Sequence, residues 1–343
     1  MNKHAFWRRS IAACILAGIS LFGVTGCGNL TLASKSSDPI QRTDFLLNTF
    51  VDIKIYDSDD TTILDDAMAI CKDYESRFSR TIESSEIYEL NHRPADQQTF
   101  ELSDETARLL EIALRYCEVS DGAFDITIEP VSSLWDFTSG EAVIPAASDI
   151  GAAVRKTGYE NLVLDGNTLT FLSPDTTIDL GAIAKGFIAD EIKDYLVDAG
   201  VESAVINLGG NVLCVGEKPD GSAFKIGLQK PFAETSETFA TAAIKDMSVV
   251  TSGVYERHFE VDGKNYHHIL DPKTGYPYDN GLISVTILSE SSADGDGLST
   301  TCFSLGLEDG MELVESLDGV YACFIDEEYN VYYSDGMEEF IID

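Results

Sequence analysis

The order of hydrophobic and polar residues along the chain predicts a mixture of strands and helices. Residues 49–56 alternate as a strand does, and apolar residues then recur at helical spacing over 63–78. Ser103 before Asp104 and Glu105 is typical of a capped helix start. The same patterns indicate strands at 176–180, 205–208, 224–228 and 283–288, and helices from 181 to 199 and from near 296 onward.

One hairpin is predicted over residues 255–270, because Asp262-Gly263 suits a two-residue turn that requires positive φ. Strands and helices do not alternate with the regularity of a doubly wound parallel sheet. We therefore expect an α+β fold with a mainly antiparallel core.

The N-terminus predicts export and a lipid anchor. Lys3, Arg8 and Arg9 precede an apolar run over 11–24, which is too short for a membrane-spanning helix of about twenty residues. Residues 1–26 are therefore interpreted as a cleaved signal, and Val-Thr-Gly before Cys27 resembles the bacterial lipoprotein box. We expect Cys27 to be lipidated, with the protein on the extracytoplasmic face of the cell membrane. An ordinary secretory signal is the alternative.

Composition separates the rest of the chain into a spacer and one functional unit. Residues 27–44 are polar and without hydrophobic period, so we expect a linker there. Residues 45–343 contain no repeat and no linker-like stretch, which fits one domain or two intertwined lobes. The five cysteines after Cys27 have apolar neighbours and no CxxC spacing, so buried structural thiols are expected and a cysteine-ligated metal is not.

The charge of the chain excludes one class of partner. Lys and Arg number 23 and Asp and Glu 59, giving −36, and the basic residues lost with the signal make the mature charge about −39. Such a chain is repelled by phosphate backbones, so nucleic-acid binding is not expected. The 44% hydrophobic content is enough for a sizeable core.

The segment Asp179-Leu-Gly-Ala-Ile-Ala-Lys185-Gly186 lies at a predicted strand-to-helix junction. Its small residues allow close backbone approach, and the helix N-terminus and Lys185 suit a phosphate or a nucleotide. A tight structural turn with an exposed lysine remains the alternative. A loop at 122–130 contains Phe124 and Asp125, which fit either ring stacking or a buried Phe with a capping Asp. The Asn207-Leu-Gly-Gly-Asn211 turn is a weak signal alone.

Three of the five histidines lie within residues 251–275. His267 and His268 are adjacent in a predicted strand, so they point to opposite faces and cannot readily share one metal. One of them suits a general base, and the other a structural role.

Asp296 and Thr300 are four residues apart, which places both oxygens on one face of a helix. A carboxylate with a hydroxyl suits Mg²⁺, and Asp296 is expected to face solvent. The Ca²⁺-binding EF-hand spacing is excluded, because position twelve counted from Asp294 is Leu305.

Taken in order, these segments resemble the ApbE-type FAD:protein FMN transferases. The motifs that carry the resemblance, between about residue 46 and the region after 301, are DLGAIAKG, NLGGN, TSGxYER, HHILDPxTGxP and DGLST. The resemblance implies a T-fold-like α+β architecture. It also implies Mg²⁺-dependent transfer of the FMN phosphoryl of FAD to a Thr or Ser hydroxyl of an exported or membrane redox protein, with release of AMP.

The resemblance also implies roles for individual residues. FAD would contact Leu47, Ala123, Phe124, Asp125, Asp179, Lys185 and Leu270. Mg²⁺ would be held by Asp296, Thr300 and the backbone carbonyl of Ala182. From the residue chemistry, His268 is the candidate base, and Lys185, with Arg257, would neutralise the pyrophosphate.

Two departures affect the nucleotide side of the site. The family's Met-Gly-Thr appears here as Leu47-Asn48-Thr49, and its Ser-Thr-Tyr appears as Ser79-Arg80-Thr81. Adenine packing is therefore expected to be looser. Two further hypotheses remain open: an FAD pyrophosphatase that gives FMN and AMP, and a non-catalytic flavin-binding or solute-binding lipoprotein.

Overall fold

The strands of this protein form one large antiparallel sheet and three small ones. The computed structural model describes residues 38–139, 141–234 and 236–342. Within these ranges the strands, in chain order, are β1 (Ile40–Leu46), β2 (Thr49–Ile55), β3 (Thr99–Glu101), β4 (Leu162–Asp165), β5 (Thr168–Phe171), β6 (Ser203–Leu208), β7 (Asn211–Gly216), β8 (Phe224–Gln229), β9 (Thr238–Ile244), β10 (Ser248–Gly253), β11 (His258–Val261), β12 (Lys264–His267), β13 (Leu282–Ser289), β14 (Tyr321–Asp326), β15 (Val331–Tyr333) and β16 (Ile341–Ile342).

The large sheet has eight strands in the order β1-β2-β6-β7-β10-β13-β14-β15. Each pair of neighbouring strands is antiparallel. Every residue of β13 is buried, which explains its nearly continuous apolar sequence. The smaller sheets have the orders β3-β5-β4, β16-β9-β8 and β11-β12. The predicted α+β class with a mainly antiparallel core is confirmed.

Helices cover this sheet and connect its strands. Within the described residues the α-helices are α1 (Thr61–Phe78), α2 (Glu86–Asn91), α3 (Asp104–Val119), α4 (Glu129–Ser132), α5 (Ala147–Val154), α6 (Ala184–Asp198), α7 (Ser292–Leu305) and α8 (Leu307–Glu315). Helix α7 packs against α6, β10 and β13, and α6 packs against α1. Eleven of the fourteen residues of α7 are buried, so its Gly- and Ser-rich sequence serves close packing on several sides. No helix in the described ranges has the length and apolar character needed to cross a membrane.

Several local predictions are confirmed at the residue level. The Ser103 side chain accepts the hydrogen bond of the Thr106 backbone N–H at the start of α3. Asp262 and Gly263 have φ of 52° and 77° between β11 and β12, as the two-residue turn requires. The cysteines at positions 71, 117, 214, 302 and 323 are buried free thiols, as expected.

Two boundaries differ from the sequence prediction. Strand β1 begins at Ile40, inside the segment 27–44 that was expected to be a spacer. It lies at the sheet edge with five successive residues exposed, so the sequence carries no alternation to reveal it. Helix α7 begins at Ser292 rather than near residue 296, because Ser291 caps it through the Asp294 backbone N–H. The predicted signal and Cys27 lie outside the described residues.

Residues 176–180 are not a strand, contrary to the prediction. Their burial alternates, which explains the strand-like pattern. However, the backbone of Ile178 pairs with the side chain of Asn91, with N···O distances of 2.7 and 2.8 Å, and the Asp179 N–H donates to the Ile126 carbonyl. An amide side chain thus takes the place of a neighbouring strand.

Candidate functional site

The predicted site residues come from distant parts of the chain and line one cavity of about 800 Å³. It is bordered by the β1–β2 turn, the loop after α1, the loop before α4, the start of α6, the end of β10 and helix α7. The predicted residues that line it are Leu47, Ala123, Phe124, Asp125, Asp179, Ala182, Lys185, His268, Leu270, Asp296 and Thr300. The separate sequence segments therefore form one site.

The segment 179–186 enters the cavity as a turn followed by the first residues of α6. Asp179 fixes the turn, because its Oδ1 accepts from the Gly181 backbone N–H at 2.9 Å and its Oδ2 from Ser132 Oγ at 2.8 Å. Ile183, the N-cap of α6, makes no side-chain capping bond. Lys185 follows in the first turn and faces the cavity. This turn thus brings a carboxylate, a backbone carbonyl and a cation to one wall.

Asp296 lies where α6, β7 and α7 meet, and it is only 4% exposed. The expectation that it faces solvent is therefore wrong. Its Oδ2 accepts from the Gly186 backbone N–H at 2.6 Å and its Oδ1 from Asn211 Nδ2 at 2.9 Å. Burial raises the pKa of Asp296. Asn211, at the end of the Asn-Leu-Gly-Gly-Asn turn, therefore orients the Asp296 carboxylate.

The groups near Asp296 make an oxygen-rich corner. Thr300 lines the same cavity one helical turn later, as its spacing predicted, and its hydroxyl lies 3.1 Å from Ser252 Oγ. Among the described residues, no three His, Cys, Asp or Glu side chains are grouped to hold a metal ion. A cation here would rely on one carboxylate with hydroxyl and carbonyl oxygens. Each Asp296 oxygen has a second lone pair, so this hard-oxygen set fits Mg²⁺.

The two adjacent histidines have different surroundings, as predicted. His267 is buried with both ring nitrogens satisfied: Nε2 donates to the Tyr278 carbonyl at 3.0 Å and Nδ1 accepts from the Ile269 N–H at 3.3 Å. His268 lines the cavity, and its buried Nδ1 has no hydrogen-bond partner within the described ranges. Burial, with the charge of Arg257, lowers the pKa of His268 to about 3. The ring is thus neutral, and its buried Nδ1 is not held by a hydrogen bond from the described residues.

The Phe124 and Asp125 side chains of the loop at 122–130 mainly stabilise the loop beside the cavity. Phe124 is 3% exposed, and Asp125 Oδ1 accepts from the Thr127 backbone N–H at 2.7 Å. Its Oδ2 accepts from the Tyr159 N–H at 3.1 Å, and burial raises the pKa of Asp125. Both side chains are therefore mostly buried or hydrogen-bonded within the protein, which matches the interpretation as a buried Phe with a capping Asp.

Leu47 and Leu270 contribute bent or extended backbone to the cavity wall. Leu47 has φ of 55°, and its N–H donates to Glu75 Oε1 at 2.7 Å. Leu270 forms an isolated antiparallel bridge with Pro277.

Several lining residues were not predicted from the sequence. Trp135 and Phe137 stack with centroids 5.6 Å apart, and Trp135 donates its indole N–H to the Gly275 carbonyl. Arg80, noted in the sequence only as a departure, pairs with Glu129 and Asp179. In the sequence, the two aromatic residues on either side of Asp136 were the pattern that could have predicted this stacked pair.

Comparison with known proteins gives one consistent result. The model of the ApbE family matches residues 47–325. A FAD:protein FMN transferase of Klebsiella pneumoniae (strain 342) is 38% identical, covering 84% of this chain and 90% of the relative. One of Treponema pallidum (strain Nichols) is 30% identical, covering 98% of this chain and 95% of the relative.

Solved structures show the same fold. The crystal structure of the ApbE protein of Thermotoga maritima matches with a TM-score of 0.80 and 31% identity, covering 89% of this chain and 100% of that one. The flavin transferase ApbE of Vibrio cholerae matches with a TM-score of 0.79 and 28% identity, covering 88% of this chain and 99% of that one.

Proposed function

The chain belongs to the ApbE family, and from this membership we propose how its cavity carries out the reaction. The enzyme is a transferase that moves FMN from FAD to a target protein. We propose in addition that the acceptor is a Thr or Ser hydroxyl, that the product is a phosphoester, and that Mg²⁺ is required. AMP is the leaving group in this scheme.

The observation that carries the proposal is the grouping of Asp296, Thr300 and Ala182 around one cavity with Lys185. Ala182 and Lys185 come from the segment at the start of α6 and the other two residues from α7, so the two segments are far apart in sequence. Mg²⁺ would be held by the Asp296 carboxylate, the Thr300 hydroxyl and the Ala182 carbonyl, with water completing its shell. When bound, it would supply positive charge for the departing phosphate.

The charge of the cavity supports a divalent cation. Five carboxylates line it, at positions 75, 125, 179, 256 and 296, against three cations at positions 80, 185 and 257. With His268 neutral, the formal charge is therefore −2 before the anionic pyrophosphate of FAD enters. A divalent cation offsets this repulsion, and Lys185 and Arg257 add to the field at the phosphates.

The proposed reaction forms one bond to phosphorus and breaks another. The acceptor hydroxyl oxygen attacks the phosphorus of the FMN half, and the bond from that phosphorus to the bridging oxygen breaks. AMP leaves with the electron pair. His268 takes the hydroxyl proton, because its residue lines the cavity and its ring is neutral and able to accept a proton. The anionic phosphates raise its basicity in the complex by favouring the imidazolium.

We further propose that the enzyme acts outside the cytoplasm on exported or membrane redox proteins, held to the membrane by lipid on Cys27. The export-signal pattern and the cysteine after Val-Thr-Gly support this localisation. Membrane fractionation of the full chain beside a Cys27→Ala variant tests it, since the variant should leave the membrane fraction.

The test of the transfer reaction is a mass measurement. Purified protein is incubated with FAD, Mg²⁺ and a candidate exported acceptor, and the acceptor should gain the mass of one FMN as AMP appears. An acceptor with its Thr or Ser replaced by Ala is the control. AMP release that is fast without acceptor and unchanged by it would instead indicate a pyrophosphatase. FAD retained in stoichiometric amount without turnover would indicate a flavin-binding protein.

A further inference from the structure

Arg80 is held between two carboxylates at the edge of the cavity. Its Nη1 lies 3.3 Å from Glu129 Oε1 and its Nε lies 3.4 Å from Asp179 Oδ2. The three side chains are 33%, 21% and 19% exposed, so the pairs are partly shielded from water. Arg80 and Asp179 line the cavity, whereas Glu129 is not part of its lining. This arrangement joins the loop after α1 to α4 and to the segment before α6.

The loop that carries Arg80 is fixed by its own hydrogen bonds. Ser79 ends α1, and its Oγ accepts from the backbone N–H groups of Thr81 at 3.1 Å and Ile82 at 3.2 Å. Ser85 Oγ donates to the Ser79 carbonyl. An ordered backbone therefore holds the Arg80 guanidinium next to the two carboxylates.

Both carboxylates have other donors that would keep them in place without Arg80. Glu129 Oε2 accepts from Thr177 Oγ1 at 2.6 Å, and Asp179 accepts from Ser132 Oγ and the Gly181 N–H. Removing Arg80 would thus leave two ordered negative charges next to a cavity whose lining is already acidic. Such charges repel an incoming phosphate, and the repulsion is strong where water is partly excluded.

We propose that Arg80 is a positioning residue for FAD that acts through Glu129 and Asp179, by neutralising them so that the anionic pyrophosphate can bind beside them. The inference rests on the proposed binding of FAD in this cavity. It assigns a role to Glu129, which lies outside the cavity lining, and it differs from direct contact between the guanidinium and FAD. The two alternatives predict different behaviour in a double variant.

The experiment measures FAD affinity by flavin fluorescence at equilibrium, without Mg²⁺ or acceptor, so that its outcome does not depend on turnover. Arg80→Met keeps the side-chain length and removes the charge, and Glu129→Gln keeps the acceptor for Thr177. We expect Arg80→Met to weaken FAD binding about tenfold, and Arg80→Lys to recover about half of that loss on a logarithmic scale. Glu129→Gln alone should leave affinity within about twofold.

The double variant Arg80→Met/Glu129→Gln decides between the two roles. If Arg80 acts by neutralising Glu129, the double variant should bind FAD within about threefold of the original protein. A double variant as weak as Arg80→Met alone would overturn the proposal in favour of direct contact, and unchanged affinity of Arg80→Met would overturn both. Thermal unfolding of each variant checks the fold. Failure of the unaltered protein to bind FAD would count against the proposed function itself.

Discussion

Asp296 connects three elements, and substitutions there separate the proposed metal binding from folding. Its carboxylate accepts one bond from the Gly186 backbone and one from Asn211. Alanine would leave both donors unpaired in the interior, at a cost of about 1–3 kcal/mol. Asparagine is better tolerated, because the Asn211 amide can rotate: its oxygen would then accept from Asn at 296, and its nitrogen would donate to Ser292 Oγ, which now lies 2.7 Å from Asn211 Oδ1.

We therefore predict that Asp296→Asn folds with a midpoint of thermal unfolding close to that of the original protein but loses transfer activity. The loss should reach at least about 3 kcal/mol, on the order of a hundredfold in rate, because the charged ligand of the proposed Mg²⁺ site is removed. Asp296→Ala should be equally inactive and also less stable. Transfer at limiting Mg²⁺ and thermal unfolding are the measurements. Near-normal turnover of Asp296→Asn would show that the metal assignment is wrong.

His267 makes the stability of the protein depend on pH. Burial lowers its pKa to about 4 from an ordinary value of 6.5. Protonation would also place an N–H on Nδ1 opposite the Ile269 N–H. The unfolded chain therefore binds a proton more readily than the folded one, so this contribution to stability is complete above about pH 6.5 and is lost as pH falls toward 4.

We predict that His267→Gln loses part of this dependence: its unfolding midpoint should fall less between pH 7 and pH 4.5 than that of the original protein. His258→Gln, at an exposed histidine of the same hairpin, is the matched control and should keep most of the dependence, because burial is the main cause of the lowered pKa of His267. Parallel pH curves for all three proteins would contradict the assignment of the effect to His267.

At the scale of elements, the contact between α6 and α7 depends on Gly186. A Cβ built there would lie 2.1 Å from the Ser292 carbonyl oxygen and 2.8 Å from Ala293 Cα, which are backbone atoms that cannot turn aside. Gly186→Ala must therefore separate the two helices and lengthen the bond from the residue 186 N–H to Asp296. Activity and stability should fall together, with a destabilisation of about 2 kcal/mol or more.

Gly151 in α5 provides the matched control for this substitution. Its added Cβ would meet only the flexible end of Arg155, at 3.8 Å. Gly151→Ala should leave activity unchanged and raise stability by up to about 1 kcal/mol, because it restricts the unfolded chain. Equal behaviour of the two alanine variants in thermal unfolding would mean that the helices can part without penalty.

Elements with a clear period or a strong local signal were predictable from the sequence. Examples are the strand at 49–56, the helix at 63–78 and the Asp262-Gly263 hairpin. Residues close in sequence determine the structure of each. Strand β1 was not predictable, because its exposed position at the sheet edge leaves no alternation of apolar and polar residues. Residues 176–180 were not predictable either, because they pair with the Asn91 side chain, which is distant in sequence.

At the scale of the molecule, the order of motifs predicted which residues line the cavity. It did not predict the burial or the contacts that fix each of them. The eleven predicted residues line one cavity. The burial of Asp296 and the pairing of Arg80 with Glu129 follow from packing between elements far apart in sequence. Local patterns carry no information on such contacts, so the orienting residues were missed while the residues within strong motifs were found.

The net charge of the whole chain bears on how FAD arrives. The charge of −36 creates a field that opposes an approaching anion over distances comparable with the Debye length. Inside the cavity, Lys185 and Arg257 would attract the pyrophosphate at short range. Long-range repulsion should control association, and short-range attraction should control dissociation.

We therefore predict that the rate constant for FAD association rises about two- to fivefold between roughly 20 and 200 mM NaCl, since salt shortens the Debye length from about 20 Å to about 7 Å. The dissociation rate constant should rise as well, because salt also weakens the contacts with the cavity cations. Stopped-flow measurement of flavin fluorescence in EDTA gives both constants without bound metal. An association rate that falls with salt would mean that the local field of Lys185 and Arg257 reaches further than the charge of the molecule around them.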